Sequence, residues 1–205
     1  MPYVIPSDRE KLNLLASIKK AGFLEMSFRT WELYEYPLLP ATSRHVWTVK
    51  TSNQLEKPRY VVLAFQTSRK NQNLGDASRF DNCDITNIRL FLNSQYYPYS
   101  NLNLNINNNQ YSVLYDMYSS FQQSYYGREP QPLLNKRDFI SNAALYFIDC
   151  SMQNESLKTG AVDIRLEFEA RNMFPANTSA YCLILHDRIV DYNPMTGDVR
   201  KRMSK

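Results

Sequence analysis

Val162-Asp163-Ile164-Arg165-Leu166-Glu167-Phe168-Glu169 alternates an apolar residue with a charged one for four full periods. Successive side chains of an extended strand point to opposite faces, so this pattern gives Val162, Ile164, Leu166 and Phe168 to a dry face and the charges to water. A little further on, Ala180-Tyr181-Cys182-Leu183-Ile184-Leu185 is apolar on both faces, as a central strand covered from two sides must be. One half-wet strand and one dry strand belong together in a sandwich of two facing sheets.

Working outward, the same period predicts strands near 26–36, 45–51, 59–67, 85–92, 102–106, 145–149, 180–187 and 188–193. Helical spacing interrupts it in three places. Ser7 and Glu10 have the spacing of a capping box, Leu12, Leu15 and Ile18 recur behind it, and Gly22 stops the run. Leu114, Tyr118, Phe121 and Tyr125 mark one face of a second helix closed by Gly127, with Pro130 and Pro132 forbidding its continuation. Asn135 with Asp138 can cap a third, ending near Ala143. The expected class is all-β: a jelly-roll β-sandwich with an N-terminal helix and one inserted helical segment. The expected organisation is a lead-in helix over 1–22, a jelly roll over 23–194 with its helical insertion at about 110–143, and a basic tail over 195–205.

Composition narrows the function classes. At 205 residues, with 43% hydrophobic and 13% aromatic residues, the chain can bury a core and is too apolar for disorder. No run of about 18–20 apolar residues is present and the N-terminus lacks the form of a signal peptide, so no membrane partner and an intracellular location, cytoplasmic or nuclear, are expected. Cys83, Cys150 and Cys182 are odd in number and widely spaced, which favours free buried thiols. The sequons at Asn154 and Asn177 read as chance matches in such a chain.

Enzymes need convergent polar groups, and few are on offer. His45 and His186 are the only histidines, too few for a metal site of the kind some jelly rolls carry, so no metal and no cofactor are expected. Cys182 and His186 share a strand parity and invite a Cys–His hydrolase reading, but a thiol in so apolar a segment is held protonated by burial. No glycine-rich phosphate loop occurs, and Glu167 and Glu169 fit a solvated strand face better than a glycosidase pair. The expectation is a protein that is not an enzyme, with no catalytic residues.

Eight of the 15 tyrosines fall between residues 96 and 126, a region without Lys or Arg, which speaks against a stacking platform for single-stranded nucleic acid. Two uses of these rings remain open: packing the inserted helix onto the sandwich, or forming a protein interface. Tyr96, Tyr97, Tyr99, Tyr111, Tyr115 and Tyr126 are the candidate interface residues. The net charge of +4 sits at the end of the chain, where Arg200, Lys201, Arg202 and Lys205 come without an acid. That tail is a candidate nucleic-acid contact or targeting patch, with a merely solvated terminus as the other reading.

Seven segments carry a resemblance: Ser27-Phe-Arg-Thr-Trp-Glu-Leu-Tyr-Glu-Tyr-Pro37, Val46-Trp-Thr-Val-Lys-Thr51, Lys57-Pro-Arg-Tyr60, Leu92-Asn-Ser-Gln-Tyr-Tyr-Pro98, Asn154-Glu-Ser-Leu-Lys158, Gly160-Ala-Val-Asp-Ile-Arg165 and Ala180-Tyr-Cys-Leu-Ile-Leu-His-Asp-Arg-Ile-Val190. The chain resembles the double jelly-roll-like domain proteins of invertebrate genomes, in the lineage of the major capsid proteins of Maverick/polinton-type elements and viruses. The resemblance implies two jelly rolls per polypeptide, homotrimers that tile a shell, and no catalytic residues to carry over. At this length the chain corresponds to one roll and resembles the C-terminal half, with Met1 where a longer protein would continue upstream. The implied function is that of a capsid-like structural subunit, viral, mobile or host-retained, acting through self-assembly into a virion-like particle. The alternative is a non-catalytic jelly-roll binding module for a protein or glycan partner.

Overall fold

The structure, a computed structural model, describes residues 4–51, 58–70, 72, 75–152 and 162–201. Along the chain run α1 (Asp8–Ala21), β1 (Leu24–Tyr36), β2 (Arg44–Thr51), β3 (Pro58–Thr67), β4 (Ile85–Leu92), β5 (Gln95–Tyr97), α2 (Ser112–Tyr126), α3 (Lys136–Asn142), β6 (Tyr146–Asp149), β7 (Asp163–Ala170), β8 (Thr178–Tyr192) and β9 (Val199–Lys201). The strands form two sheets, ordered β1-β8-β3-β6, with β9 on β8, and β2-β7-β4-β5. This is the expected all-β jelly-roll sandwich with its N-terminal helix and its helices inserted between β5 and β6.

Burial follows the sequence pattern closely. In β7, Ile164, Leu166 and Phe168 are at most 2% exposed while Asp163 and Arg165 face solvent. Register carries the dry face across the sheet, with Trp47 and Leu90 both opposite Leu166. On the facing sheet Val61 pairs with Ile184, Leu63 with Cys182 and Phe65 with Ala180. These inward residues form one core with Ile88, Leu90 and Leu92, and each fully buried Leu, Ile or Phe contributes about 1.5–3 kcal/mol. The apolar run at 180–185 lies within β8, between β1 and β3; Ala180, Cys182 and Ile184 face the core, whereas Tyr181 and Leu183 on the outer face are only half-buried, so that face is not dry, contrary to expectation.

The chain divides into two compact units, Met1–Thr30 with Asp187–Lys205, and Trp31–His186. In the larger unit a second, smaller cluster, Tyr60, Val62 and Leu185, gathers Phe121 and Tyr125 of α2 on the outer face of the sheet. The Tyr60 and Phe121 rings lie 5.2 Å apart, and those of Phe121 and Phe147 4.7 Å. Gly127 ends α2 at φ +66°, donating its N–H to Gln123 O, a conformation that favours glycine. Asn135 caps α3 by accepting the Asp138 N–H at 2.9 Å.

In the smaller unit Ser7 caps α1 by accepting the Glu10 N–H at 3.4 Å, and the Gly22 N–H closes its other end on Ile18 O at 2.9 Å. There β8 pairs with β9, Tyr192 opposite Val199, through a turn whose Gly197 N–H bonds Asn193 O at 2.8 Å.

Three expectations from periodicity need correcting. Residues 102–106 are no strand: Leu102 and Leu104 are buried, but Asn103 adopts φ +47°, and the two leucine N–H groups go to Asn87 Oδ1 and Thr86 O. The strands expected at 180–187 and 188–193 are one, since backbone pairing continues past the point where the apolar pattern stops. Arg200 and Lys201, expected in a loose basic tail, belong to β9, and the Arg200 guanidinium lies 5.5 Å over the Phe23 ring. Residues 154–158, Arg202 and Lys205 lie outside the described residues.

Candidate functional site

Both histidines and two of the three cysteines are buried. Cys182 is fully buried and His186 1% exposed, so the pair is closed to a substrate. Burial also pushes the Cys182 thiol well above its ordinary range, which keeps it protonated and a poor nucleophile. Cys150 is treated the same way, and Cys83 is pushed up to about 12 by burial with help from Asp81. His186 Nε2 lies 3.7 Å from Glu32 Oε2, and the same oxygen accepts the Tyr34 hydroxyl at 2.8 Å. His45 stacks on Phe168 at 5.3 Å and meets Phe174 edge-on at 5.0 Å; burial holds its pKa below the ordinary value. Among the described residues no group of three or more His, Cys, Asp or Glu is arranged to hold a metal ion. None of the described helices is long and apolar enough to cross a membrane.

The structure separates the six candidate tyrosines. Tyr97 and Tyr111 are 3% and 6% exposed and belong to the core, so they are corrected out of the surface set: their rings are consumed by the fold. Tyr115 is half-buried, its hydroxyl donated to Leu134 O at 3.0 Å. Tyr96, Tyr99 and Tyr126 remain exposed, at 42%, 70% and 63%. Tyr96 and Tyr99 line one shallow surface pocket with Met152, while Tyr126 stands at the end of α2 against Tyr125. The packing use is thus seen for Tyr97, Tyr111 and Tyr115, while Tyr96, Tyr99 and Tyr126 stay on the surface.

Periodicity did not expose a larger surface. Trp31 and Leu33 of β1, Val62 and Ala64 of β3, Tyr181 and Leu183 of β8, and Phe121 of α2 line an open apolar trough on the outer face of their sheet, with a volume of about 580 Å³. Trp31 and Leu33 on its rim are 50% and 64% exposed, and Trp31 meets Tyr125 edge-on at 5.8 Å. A signal was present: β8 is apolar on both parities, and α2 is too narrow to cover the whole of its outer side.

The outer face of the other sheet is polar. Arg44, Asn87, Arg89, Asn101, Glu167 and Glu169 surround a groove of about 410 Å³. Arg89 donates to Asn101 Oδ1 at 2.7 Å and Arg44 pairs with Glu169 at 3.0 Å.

Comparisons with known proteins place this geometry. A family model described as the double jelly-roll-like domain matches residues 1–190. Among solved structures, a chain of the Sputnik virophage determined by cryo-EM superposes with a TM-score of 0.55 at 12% identity, over 89% of this chain and 39% of that one. The crystal structure of the mavirus major capsid protein gives 0.49 at 9% identity, over 89% and 42%. PBCV-1 VP54, fitted into a reconstruction of the virophage Sputnik, gives 0.46 at 10% identity, over 99% and 56%. This chain therefore spans less than two thirds of each of these proteins, and at 12% identity the likeness to the virophage chain is one of fold. No curated protein matches the sequence. With the family model covering nearly its whole length and a two-sheet sandwich to match, the chain belongs to the double jelly-roll-like domain family.

Proposed function

We propose that this protein is a non-enzymatic, capsid-like structural subunit of viral or mobile-element ancestry, acting by self-assembly and forming a homotrimer when both rolls are present. The observation that carries this reading is the contrast in the Trp31–His186 unit between closed chemistry and open apolar surface. His45, His186, Cys150 and Cys182 are buried, while an apolar trough and the Tyr96–Tyr99 patch face water. Such surface favours association, and the charge-free trough suits the apolar face of another subunit. Family membership and the fold shared with a virophage chain support the same role. In a closed trimer each copy presents two different faces, and trough and tyrosine patch are two such faces. The assembled particle would reside in the cytoplasm or nucleus. Arg200, Lys201, Arg202 and Lys205 would then contact nucleic acid, with an affinity that falls steeply with salt.

Light scattering coupled to size exclusion, with electron microscopy of the peak, tests the reading. Discrete oligomers are expected, and Leu33→Asp or Tyr96→Asp with Tyr99→Asp should shift them to smaller species. A protein holding two rolls that stays monomeric at every concentration would overturn it. The polar groove on the other sheet supports a second reading, a binding module for a protein or glycan; retention on a glycan array, lost on Arg89→Ala, would favour that instead.

A further inference from the structure

The N-terminal helix carries an apolar seam that belongs to neither the trough nor the tyrosine patch. Leu12 and Leu15 of α1 are 68% and 56% exposed, although a helix of a folded protein normally buries such a stripe. Asp8, Leu12, Leu15 and Lys19 are spaced by four, three and four residues, which sets them in one line along the helix. An acid therefore stands at one end of the seam, a base at the other, and two exposed leucines between them. Beyond the ends, Val4 is 76% exposed and Phe23 39%. The Ser7 and Gly22 caps fix where the helix starts and stops.

We propose that α1 pairs antiparallel with α1 of a second copy of this chain, about a two-fold axis passing between positions 13 and 14. In that register Leu12 of each copy meets Leu15 of the other, and Asp8 meets Lys19 at both ends. Such a contact is isologous and closes on itself. A parallel pairing would set Asp8 against Asp8 and Lys19 against Lys19, so the charges select the direction. Asp8 already pairs with Lys11 at 3.1 Å, but that bond is exposed, weak and readily exchanged for one at the edge of a buried seam. This two-fold contact is separate from the proposed trimer: it would join two monomers or two trimers.

Mixing charge-reversed variants tests the arrangement, read by sedimentation equilibrium over a concentration series, since a seam this short belongs with the weak interfaces below about 1,200 Å². The wild-type protein should double in mass as concentration rises. Asp8→Lys alone and Lys19→Asp alone should each lose that doubling, because each sets like charges together at both ends. An equimolar mixture of the two should recover it, because both ends then pair acid with base. Leu12→Asp with Leu15→Asp should abolish it while leaving any three-chain species intact, and circular dichroism should show α1 still formed in every variant. Failure of the mixture to associate, or a wild-type protein that never doubles, overturns the pairing and leaves the trimer reading to its own test.

Discussion

Cys182→Ser would place a hydroxyl in the apolar core, opposite Leu63 in the register and on the same strand face as Ala180 and Ile184. The expected cost is about 1–3 kcal/mol, read as a lower urea midpoint with an unchanged slope and no chemical activity to lose. His45 gives a different kind of prediction. Its folded pKa is held below the ordinary 6.5 by burial, outweighing hydrogen bonds to the Thr42 and Pro40 backbone. The unfolded chain thus takes up a proton at a higher pH than the folded one. Stability is fully present above about pH 6.5 and falls as the pH drops from there toward the folded pKa. The thermal midpoint of the wild-type protein should decline over that window more than that of His45→Gln. Matching slopes would remove His45 from the pH dependence. Neither histidine's environment was legible in the sequence, because burial depends on which strands face one another, and that is a long-range fact.

At the level of elements, rings hold α2 to the sheet: Phe121 meets Tyr60 of β3 and Phe147 of β6, with centroids within 5.2 Å. Truncating a fully buried Phe costs about 3–5 kcal/mol, and for the half-buried Phe121→Ala about 2 kcal/mol is expected, with early hydrogen exchange throughout α2. The spacing Leu114, Tyr118, Phe121, Tyr125 made this helix readable, and Gly127 fixed its end. The chain around 102–106 was misread for a physical reason: alternating Asn and Leu looks like a strand, but Asn103 tolerates a left-handed backbone that breaks one. β9 was missed because three exposed residues, only one of them apolar, are too few to show a period. For the same reason, deleting residues 200–205 should cost less than about 1 kcal/mol even though it removes part of a strand. A thermal midpoint lowered by many degrees would mean that β9 anchors more than its own ladder.

Among the described residues strands outweigh the three α-helices, so the far-ultraviolet circular dichroism spectrum should be that of an all-β protein with a minor helical part. A helix-dominated spectrum would refute the architecture. The class and the inward face of β8 were legible because period-two patterning survives in the long strands. The surfaces were less so: the sequence marks a ring as large and amphipathic, and only the packed sandwich shows that Tyr97 lies inside and Tyr99 out.

The pairing of β3 with β8 also has a consequence in time. Leu63 and Cys182 are partners across about 120 residues of chain, so a strand buried on both faces must wait for its neighbour to be made. At about 5–20 residues per second on the ribosome, that wait lasts roughly 6–24 s. Throughout it, the apolar segment from Tyr60 to Phe65 is in the cell without its cover, a natural substrate for a holding chaperone. Slowing translation between the two strands should lower the yield of soluble protein.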